Sequence, residues 1–545
     1  MEQTMSEMQS LPATGQANLL VADLDRLFDP EGVPLEGAHT HLVLVVDGHH
    51  TVKYHRLPPL EAPKPSGPEL RFEGGEHTAI GDNVLLRFAA NQPPVVAHQS
   101  PLPLPNGLSL TYGQVVALGG DFYGVPERPI ADGATPSERI ERFLQAFDSL
   151  ARLPASRAEA QDILAAMQEE ISAANRAIKD GRQPHEAYDA LGDSLSARWN
   201  RITGGGSVAS DLLPLGRYLK LAASNWDHFG QSALLAYQAG HGAALQQALR
   251  ARDSGDERDL QLAYAMNAFA DHFLTDLFSA GHLRVPRKAL ADTVTPSDIG
   301  SLVSRFMHDE DSKYGLRVRN AEGEQWRAYG DKRYFDSVDV ANRRQVGRAV
   351  QRSADEVFQA FDKGQATSPE QYAALRLTPD LQAAEQDLVP GNFAPLYRQQ
   401  GSTVLRRKNV ADLNDGQYTR DWWGWSTYLL LKDHKPNRPT GFIDAPTASP
   451  AIVANGWQRR EPDGLNWRRG NAVRYAFSVD DGINESYIGP WNPYSELGEQ
   501  FHPTVQLPLD AQRRGRNLFR QFRDGAPELI ARLDGQATTY IDRNA

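Results

Sequence analysis

The sequence predicts a multidomain protein in which a mainly α-helical central domain is flanked by a β-rich N-terminal region and a C-terminal β-sandwich. Three observations predict this fold class. The chain has 545 residues, more than a single hydrophobic core usually accommodates. Apolar residues recur with helical periodicity in the middle of the chain. On both sides of that region, short β-prone runs alternate with proline-rich and glycine-rich turns.

The N-terminal part is predicted to consist of a disordered start (1–15) followed by a β-rich region (16–105). Residues 39–46 form a run rich in valine and leucine, which is typical of a strand. The dipeptide Asp47-Gly48 follows this run at once and favours a tight hairpin turn. Proline-rich stretches farther along the region indicate that its strands are short.

The central region, 106–400, is predicted to be the helical domain. The segment 155–179 is long, rich in alanine and amphipathic, so it predicts a helix. Further helices are expected over 185–200, 228–250, 257–278, 297–312 and 335–363. Helices in this number, joined by short connections, are typical of a compact all-α domain.

The C-terminal region, 401–545, is predicted to be a β-sandwich with a possible lipid-binding role. Its composition shifts to tryptophan, glycine, proline and β-prone runs such as 472–479. Trp422, Trp423 and Trp425 form a dense aromatic cluster. Tryptophan favours the membrane interface, which is one interpretation of the cluster. The other interpretation is that these rings fill a sandwich core or a domain interface.

Composition narrows the chemistry and the partners of the chain. It contains no cysteine, which excludes disulfides, thiolate metal sites and cysteine nucleophiles. The formal net charge of −12 disfavours nucleic acid as a partner. No run approaches the roughly eighteen apolar residues of a membrane-spanning helix, and the first residues lack the pattern of a secretory signal. We expect a chain that is either cytoplasmic or exported without a recognisable N-terminal signal.

The triplet His272, Asp276 and His282 is the most informative motif. His272 and Asp276 stand at i and i+4, so they share one face of a helix. His282 follows just after a glycine that allows the chain to turn back. Imidazole and carboxylate groups that converge in this way predict a divalent-metal site, most plausibly for zinc. The alternative is a helix cap with two hydrogen-bonded surface histidines.

Two more histidines and one more acid extend this candidate site. His228 stands at the expected start of a helix, and His308 stands near the expected end of another. Asp311 lies at i+3 from His308 and shares its helix face, whereas Glu310 does not. His308 and Asp311 are therefore a second candidate chelating pair, and a solvated acidic helix end is the alternative.

Asp121 and Asp227 are candidates for a catalytic role. Asp121 lies between glycines and aromatic residues, in a run that allows close approach to a metal as a bridging ligand or to water as a general base. An ordinary Asx-turn is the alternative, and spacing alone does not decide between them. Asp227 precedes His228 directly and is the other candidate for the general base.

These residues resemble the bacterial zinc-dependent phospholipases C, which belong to the same superfamily as the fungal zinc-dependent single-strand nucleases. The family signature is His, three residues, Asp, five residues, His, which His272, Asp276 and His282 reproduce. The family also has an earlier His-Phe pair, matched here by His228-Phe229. The amino-acid sequences of the motifs look most like those of the branch that includes Legionella and Pseudomonas enzymes. The resemblance covers roughly 106–330.

The resemblance implies a secreted hydrolase, associated with virulence, that cleaves phosphatidylcholine-type lipids into diacylglycerol and a phosphorylated head group. It implies two to three zinc ions, a phospholipid substrate and peripheral contact with a membrane, with no nucleic acid expected. The metal ligands that it implies are His228, His272, Asp276, His282, His308, Asp311 and Asp121. Asp121 or Asp227 would then accept a proton from the attacking water.

The chain also departs from the better-known branch, which uses an N-terminal tryptophan amine and a nearby histidine as ligands. More than a hundred residues precede the expected helical domain here. His39 or His41 is a candidate replacement, and a strand with two surface histidines is the alternative. Two rival functions stay open: a zinc phosphodiesterase of the same fold that cleaves single-stranded nucleic acid, and a non-catalytic protein that keeps metal for stability or binds lipid without cleaving it.

Overall fold

The computed structural model shows a mainly α-helical protein with several small separate sheets. The described residues are 41–46, 52–57 and 74–542, except 180–182, 192–193, 206–215, 225, 295–296, 432–438, 440–442, 454–471, 482–483, 497–501, 510–511, 513 and 524–526. The expected disordered start lies outside these residues. Within the described part, helices account for most of the regular secondary structure, as the sequence predicts.

Two compact units divide the chain. One contains residues 1–68, 445–481 and 488–545, and the other contains 69–444 and 482–487. The second, helical unit extends beyond the expected range of 106–400 on both sides.

The α-helices of the described residues all lie in the helical unit. They are α1 (Gly74–Asp82), α2 (Tyr112–Leu118), α3 (Pro136–Ala151), α4 (Ser156–Lys179), α5 (Pro184–Leu191), α6 (Ser194–Ile202), α7 (Arg217–Ser224), α8 (Gly230–Ser254), α9 (Glu257–Asp276), α10 (Ala280–Leu283), α11 (Arg287–Thr293), α12 (Ser297–Tyr314), α13 (Val340–Lys363), α14 (Leu381–Glu385) and α15 (Gly424–Leu431). The helix expected over 185–200 is two helices, α5 and α6. The helix expected from 335 begins only at Val340.

Most strands form short antiparallel pairs or small sheets. They are β1 (His41–Val46), β2 (Val52–Leu57), β3 (Leu85–Leu86), β4 (Val95–Val96), β5 (Leu102–Pro103), β6 (Ser109–Leu110), β7 (Leu316–Arg319), β8 (Gln325–Ala328), β9 (Tyr397–Gln400), β10 (Thr403–Arg407), β11 (Tyr418–Thr419), β12 (Ala451–Val453), β13 (Ala472–Asp480), β14 (Ser495–Glu496), β15 (Thr504–Gln506), β16 (Gly515–Phe522), β17 (Glu528–Leu533) and β18 (Thr539–Ile541). Strands β1 and β2 pair antiparallel, and the expected turn at Asp47-Gly48 lies outside the described residues.

The core of the helical unit is built around α9. Helix α8 ends at Gly255, which adopts a left-handed conformation with φ 66°, and the Asp256 side chain caps the first turn of α9. The two long helices therefore pack against each other, and α2, α3 and α13 cover them. Every residue of α9 from Ala263 to Asp276 is buried. Polar side chains on this stretch need partners inside the protein, because water does not reach them.

Two shorter connections bring further chain segments to the C-terminal end of α9. Thr111 and Gln114 form a capping box at the start of α2, and the helix stops at Leu118 before two glycines. Strands β7 and β8 form a hairpin, and the chain returns to the core just after β8. The segments after α2 and after β8 both carry acidic residues of the candidate site.

The Trp422–Trp425 region does not belong to the C-terminal β region, in contrast to the prediction. It lies in the helical unit, where strands β9, β10 and β11 form a three-stranded sheet and α15 follows. Their apolar residues share a core cluster with α11 and α12, so packing assigns them to the helical unit. Among the described residues, no helix combines the length and apolar composition that crossing a membrane requires.

The C-terminal part of the other unit contains two antiparallel sheets. Strands β14, β13, β16 and β17 form the first in that order, and β12, β15 and β18 form the second. The predicted strand over 472–479 is β13, which is almost entirely buried. A β-sandwich arrangement of these sheets stays a prediction.

Candidate metal centre

Three groups of histidine and aspartate side chains meet at the C-terminal end of α9, and we call them together the His/Asp cluster. The groups are His77, Asp121 and His272; His228, Asp276 and His282; and His282, His308 and Asp331. Within each group, one nitrogen or oxygen atom of every residue lies within 4.8 Å of the others. His282 belongs to the second and third groups, and Nε2 of His272 in the first group lies 3.6 Å from Oδ2 of Asp276 in the second, so the three groups form one cluster.

Helix α9 places His272 and Asp276 on one face, as their spacing predicts. The Nε2 atom of His272 lies 3.6 Å from Oδ2 of Asp276. The helix ends at Asp276, and the short helix α10 returns His282 so that its Nδ1 lies 3.2 Å from Asp276 Oδ1. The structure therefore brings the three residues of the predicted motif around one carboxylate.

His228 approaches the same carboxylate from a 3-10 turn (Trp226–His228) before α8. Its Nδ1 lies 2.7 Å from Asp276 Oδ2 and 3.0 Å from Nε2 of His272. The two imidazoles thus turn ring nitrogens towards each other and towards one acid. This convergence is typical of ligands that surround a cation.

Asp227 does not face the cluster, in contrast to its predicted catalytic role. Its Oδ2 accepts a hydrogen bond from the Ile130 N–H at 2.5 Å, and its Oδ1 accepts one from the Ala131 N–H at 2.8 Å. Burial raises the pKa of Asp227 to about 6 against the opposing effect of these N–H groups. Because both carboxylate oxygens are engaged, Asp227 anchors the turn that carries His228.

His308 meets Asp331 instead of the predicted Asp311. The Nε2 atom of His308 lies 3.1 Å from Asp331 Oδ2, and Nε2 of His282 lies 3.5 Å from the same oxygen. Ser279 donates a hydrogen bond to the other oxygen of Asp331 at 2.8 Å. Asp331 follows the β7–β8 hairpin, so no spacing rule links it to His308 in the sequence.

Asp311 forms a buried ion pair elsewhere. Its two carboxylate oxygens accept hydrogen bonds from Nε and Nη2 of Arg284 at 3.0 and 2.7 Å. Glu310 likewise pairs with Arg407, at 2.9 Å. The helix-face argument correctly separated Glu310 from His308, but it missed the arginine that binds Asp311. Bidentate pairing with a buried guanidinium leaves neither acid directed at the cluster.

His77, on α1, is a member of the cluster that sequence reasoning missed. Its Nδ1 lies 2.7 Å from Thr275 Oγ1, and its Nε2 lies 3.7 Å from Asp276 Oδ1. The sequence offered His39 or His41 as a further ligand, and that expectation stays a prediction. His39 and the side chain of His41 lie outside the described residues. The segment Gly74-Gly75-Glu76-His77 has no spacing relation to the motif, so only the packing of α1 against α2 and α9 reveals it.

Two glycines make room for the imidazoles. Gly120 has φ 66°, and a Cβ atom there would lie 2.6 Å from Nε2 of His272 and 2.8 Å from Cε1 of His228. A Cβ atom at Gly281 would lie 2.5 Å from Cδ2 of His308. Such distances are closer than real side chains tolerate, so the cluster depends on glycine at both positions. This agrees with the close approach that the glycines around Asp121 predict.

Asp121 follows Gly120 and is the most exposed acid of the cluster. Its side chain is 37 % exposed, and Oδ1 lies 3.9 Å from Nε2 of His228. Asp276, in contrast, is only 2 % exposed. A molecule arriving from solvent therefore reaches Asp121 before it reaches the central carboxylate.

Hydrogen bonds to the backbone orient the deepest imidazole. Nδ1 of His272 donates to the carbonyl of Val116 at 2.9 Å, which leaves the Nε2 lone pair directed at Asp276 and His228. Burial, the largest influence, holds the pKa of His272 well below its ordinary value. A neutral imidazole with this tautomer is the form that ligates a metal.

The charges of the cluster are strongly coupled. Burial opposes ionisation of Asp276, but His228, His272 and His282 outweigh it and hold the pKa of Asp276 well below the ordinary range. Burial likewise opposes the charge on His282, yet Asp331 and Asp276 raise its pKa to about 10. Asp331 also outweighs burial at His308, whose pKa rises to about 9.

The donor set fits a divalent cation. Asp276 Oδ2 and His282 Nδ1 are buried and have no hydrogen bond of regular geometry, although both lie in contact with charged neighbours. Buried polar atoms are otherwise almost always hydrogen-bonded. Imidazole nitrogens and carboxylate oxygens without thiolates suit zinc and other first-row divalent metals. The described residues therefore contain His/Asp groups that can hold metal ions.

Comparisons with known proteins find only partial similarities. No protein-family model matches the chain. The chain is 32 % identical over 77 residues to alpha-latrotoxin-Lhe1a of Latrodectus hesperus and 31 % identical over 77 residues to alpha-latrotoxin-Lt1a of Latrodectus tredecimguttatus. These matches cover 14 % of this chain and only 5 % and 6 % of the two toxins.

The solved structures with weak similarity to this chain include two clostridial alpha-toxins. An alpha toxin from Clostridium absonum aligns over 75 % of this chain and 98 % of its own, at 11 % identity and a TM-score of 0.11. The Clostridium perfringens alpha-toxin from an avian strain aligns over 79 % of this chain and 96 % of its own, also at 11 % identity and a TM-score of 0.11. Scores this low carry no argument about the fold or the function of this chain.

Proposed function

We propose that this protein is a zinc-dependent phosphodiester hydrolase of the phospholipase C type, which releases diacylglycerol and a phosphorylated head group from phosphatidylcholine-type lipids. The observation that carries the proposal is the close juxtaposition of three His/Asp groups at one helix end. A structural zinc site needs one closed set of four ligands. Three neighbouring groups, two of which share His282, offer ligands for two to three cations side by side, which is the arrangement of multi-metal phosphodiester-cleaving sites.

Zinc held by these residues would supply Lewis acidity towards the oxygens of a phosphodiester and towards water. The residues themselves keep that acidity high, because a set of imidazoles and carboxylates donates less electron density than thiolates do. Val116 fixes the tautomer of His272 through its carbonyl, and Thr275 contacts Nδ1 of His77 in the same manner. These contacts direct the Nε2 atoms of both rings towards Asp276 and restrain the rings before substrate binds.

Asp121 is the residue that we assign to proton acceptance from water. Among the three aspartates of the cluster it is the most exposed, and it lies at the edge, 3.9 Å from His228. Asp276 is enclosed by histidines, and Asp227 is bound by backbone N–H groups, so neither is placed to meet water. A general base must come within hydrogen-bond reach of the proton that it accepts.

The lipid substrate rests on the motif resemblance together with the charge of the chain. The net charge of −12 disfavours attraction of a polyanionic strand. A phosphatidylcholine head group carries no net charge, so this repulsion does not apply to it.

The test is an assay of purified protein loaded with zinc, with and without chelator. We expect release of phosphocholine from phosphatidylcholine micelles, loss of that release with chelator, and loss in His272→Ala. His98→Ala is the matched control, because His98 is a partly buried histidine that contacts the Asp82 carbonyl away from the cluster. Circular dichroism checks that both variants fold.

Other outcomes assign the rival functions. Chelator-sensitive cleavage of single-stranded DNA without lipid hydrolysis would replace the proposal with a nuclease. Bound zinc with no hydrolysis of either substrate would indicate a non-catalytic metal protein. Hydrolysis that persists with chelator would contradict a metal-dependent mechanism.

A further inference from the structure

The surface helix α15 (Gly424–Leu431) has an unusually apolar outer face. Trp423, just before the helix, is 61 % exposed, and Trp425 is 41 % exposed. Leu429 and Leu430 are 57 % and 54 % exposed. We call these four side chains the α15 patch. Single exposed apolar residues are common on proteins, but four on two helical turns form a contiguous feature.

The inner face of the same helix is fully used in packing. Gly424, Thr427 and Leu431 are buried, and Tyr428 is half-buried. Their spacing, i, i+3, i+4 and i+7, is that of the core-facing stripe of a surface helix. Such a helix normally has polar residues on its opposite face, but here the outer face offers Ser426 as its one polar side chain. The patch is therefore not a by-product of core packing.

The tryptophan cluster divides between these two faces. Trp422 packs inward: its Nε1 donates to the Val404 carbonyl at 3.0 Å, and its ring centroid lies 5.3 Å from that of Tyr397. Trp423 and Trp425 turn outward. Core filling thus explains one ring of the three, and the other two need another explanation.

Helix α15 is attached to the helix that carries part of the His/Asp cluster. The ring of Tyr428 lies 6.2 Å from the ring of Phe306 on α12, two residues before His308. A Cβ atom at Gly424 would lie 2.8 Å from Ile299, at the other end of α12. Because α15 packs on α12 through its inner face, a body that binds the patch lies on the opposite side of α15 from the helix that carries His308.

We propose that the α15 patch docks the protein on a phosphatidylcholine bilayer. The area of the four side chains is on the order of 400 Å², about half of what each partner buries in a stable protein interface. A second protein chain would need more surface, whereas a bilayer needs only a few inserted side chains. Tryptophan is also the residue most enriched at the level of lipid head groups. The choice of lipid rests on the proposed function, which supplies a phosphatidylcholine substrate.

The test measures binding of the full chain to phosphatidylcholine vesicles by flotation. We expect Leu429→Ser/Leu430→Ser to lower the vesicle partition coefficient about tenfold, because two leucines lose their insertion into the acyl boundary. Leu153→Ser/Leu388→Ser is the matched control, since these leucines are 51 % and 53 % exposed on other parts of the same unit. The control is expected to bind like the parent protein.

Hydrolysis separates this proposal from the proposed function. The patch variant is expected to cleave a short-chain, monomeric phosphatidylcholine at the parent rate and vesicles about tenfold more slowly. Vesicle binding that is lost in the patch variant alone supports docking even if no lipid is hydrolysed. Equal binding of parent, patch variant and control overturns it. A parent protein that dimerises in size-exclusion chromatography through the patch, without vesicle binding, also overturns it.

Discussion

Two polar clusters flank helix α9, and they differ in how their atoms are paired. The first, which we call the buried network, centres on Asp271. Its Oδ1 accepts a hydrogen bond from Ser353 and its Oδ2 accepts one from Tyr112, both at 2.6 Å. Asn267 donates to Tyr112 Oη at 2.7 Å and faces Nδ1 of His241 at 2.6 Å through its own oxygen. Donors and acceptors alternate through this network.

The His/Asp cluster lacks that alternation. Nε2 of His272 faces Nδ1 of His228 at 3.0 Å, and both lie close to Asp276. Asp271 and Asp276 stand five positions apart on one helix, yet their pKa values move in opposite directions. Burial raises the pKa of Asp271 to about 7 against its hydrogen bonds, whereas surrounding imidazoles hold the pKa of Asp276 well below the ordinary range despite burial.

The comparison teaches how to tell a structural polar cluster from a metal site. A network in which both oxygens of the central carboxylate accept hydrogen bonds from hydroxyl groups holds the core together without a bound ion. A cluster of lone pairs and negative charge that faces inward requires a cation or protons. Four predictions test this difference.

Asp276→Asn is expected to remove bound zinc and lower phosphodiester hydrolysis by about 1,000-fold or more. The amide carries no negative charge, and only one of its two terminal atoms can accept a hydrogen bond or bind a metal. Asp271→Asn is the matched control on the same helix. An amide imitates the neutral acid that burial favours there, so zinc content should stay at the parent level. Metal analysis and the phosphocholine assay measure both variants, and zinc loss in Asp271→Asn would break the comparison.

Gly120→Ala is expected to lower zinc affinity about 100-fold, because the added methyl group collides with the ring of His272. Gly255→Ala is the control: its φ is also 66°, but a Cβ atom there would meet nothing within 4 Å. Both variants should lose about 1 kcal/mol of stability through left-handed strain. Competition with a zinc chelator measures affinity, and equal affinities for the two variants would contradict the crowding argument.

Asp331→Asn and Asp311→Asn test which of the two aspartates binds metal together with His308. We expect Asp331→Asn to lower the affinity for one zinc ion about 10-fold to 100-fold, with a small effect on the free energy of unfolding. Asp311→Asn should keep its zinc and lower stability by about 3 kcal/mol, because it leaves Arg284 buried without its partner. Zinc titration and denaturant unfolding measure the two effects. The reverse pattern would restore Asp311 as the ligand.

Zinc affinity is expected to rise with pH by up to about tenfold per unit for each proton released. Without metal, the pKa values of His282 and His308, about 10 and about 9, lie above the unfolded value, so both rings are protonated near neutrality. Their protonation stabilises the metal-free fold fully below about pH 6.5, and this stabilisation is lost as pH rises through about 9 to 10. Calorimetry in buffers of different ionisation enthalpy counts the protons. No proton release at pH 7.5 would contradict the charge assignment.

The sequence alone predicts the helical character of the centre and the His272–Asp276–His282 motif, because both depend on contacts within one helix and its following turn. Spacing of i and i+4 fixes a shared face wherever the helix forms. The same kind of argument excluded Glu310 from the face of His308. The prediction that Asp311 is a ligand was not supported, because an i+3 spacing does not reveal that Arg284 packs against Asp311 in the folded protein.

The remaining site was decided by tertiary packing. His77 and Asp331 stand far from the motif in the sequence, and only the packing of α1 and the return of the chain after β8 bring them to the end of α9. Arg284 forms hydrogen bonds with Asp311, and backbone N–H groups donate to Asp227. These partners come from distant parts of the chain, so local sequence patterns do not predict them. The sequence determined which chemistry was available, imidazole and carboxylate without thiolate. The tertiary structure decided which of those groups converge, since convergence depends on distances between segments that periodicity does not encode.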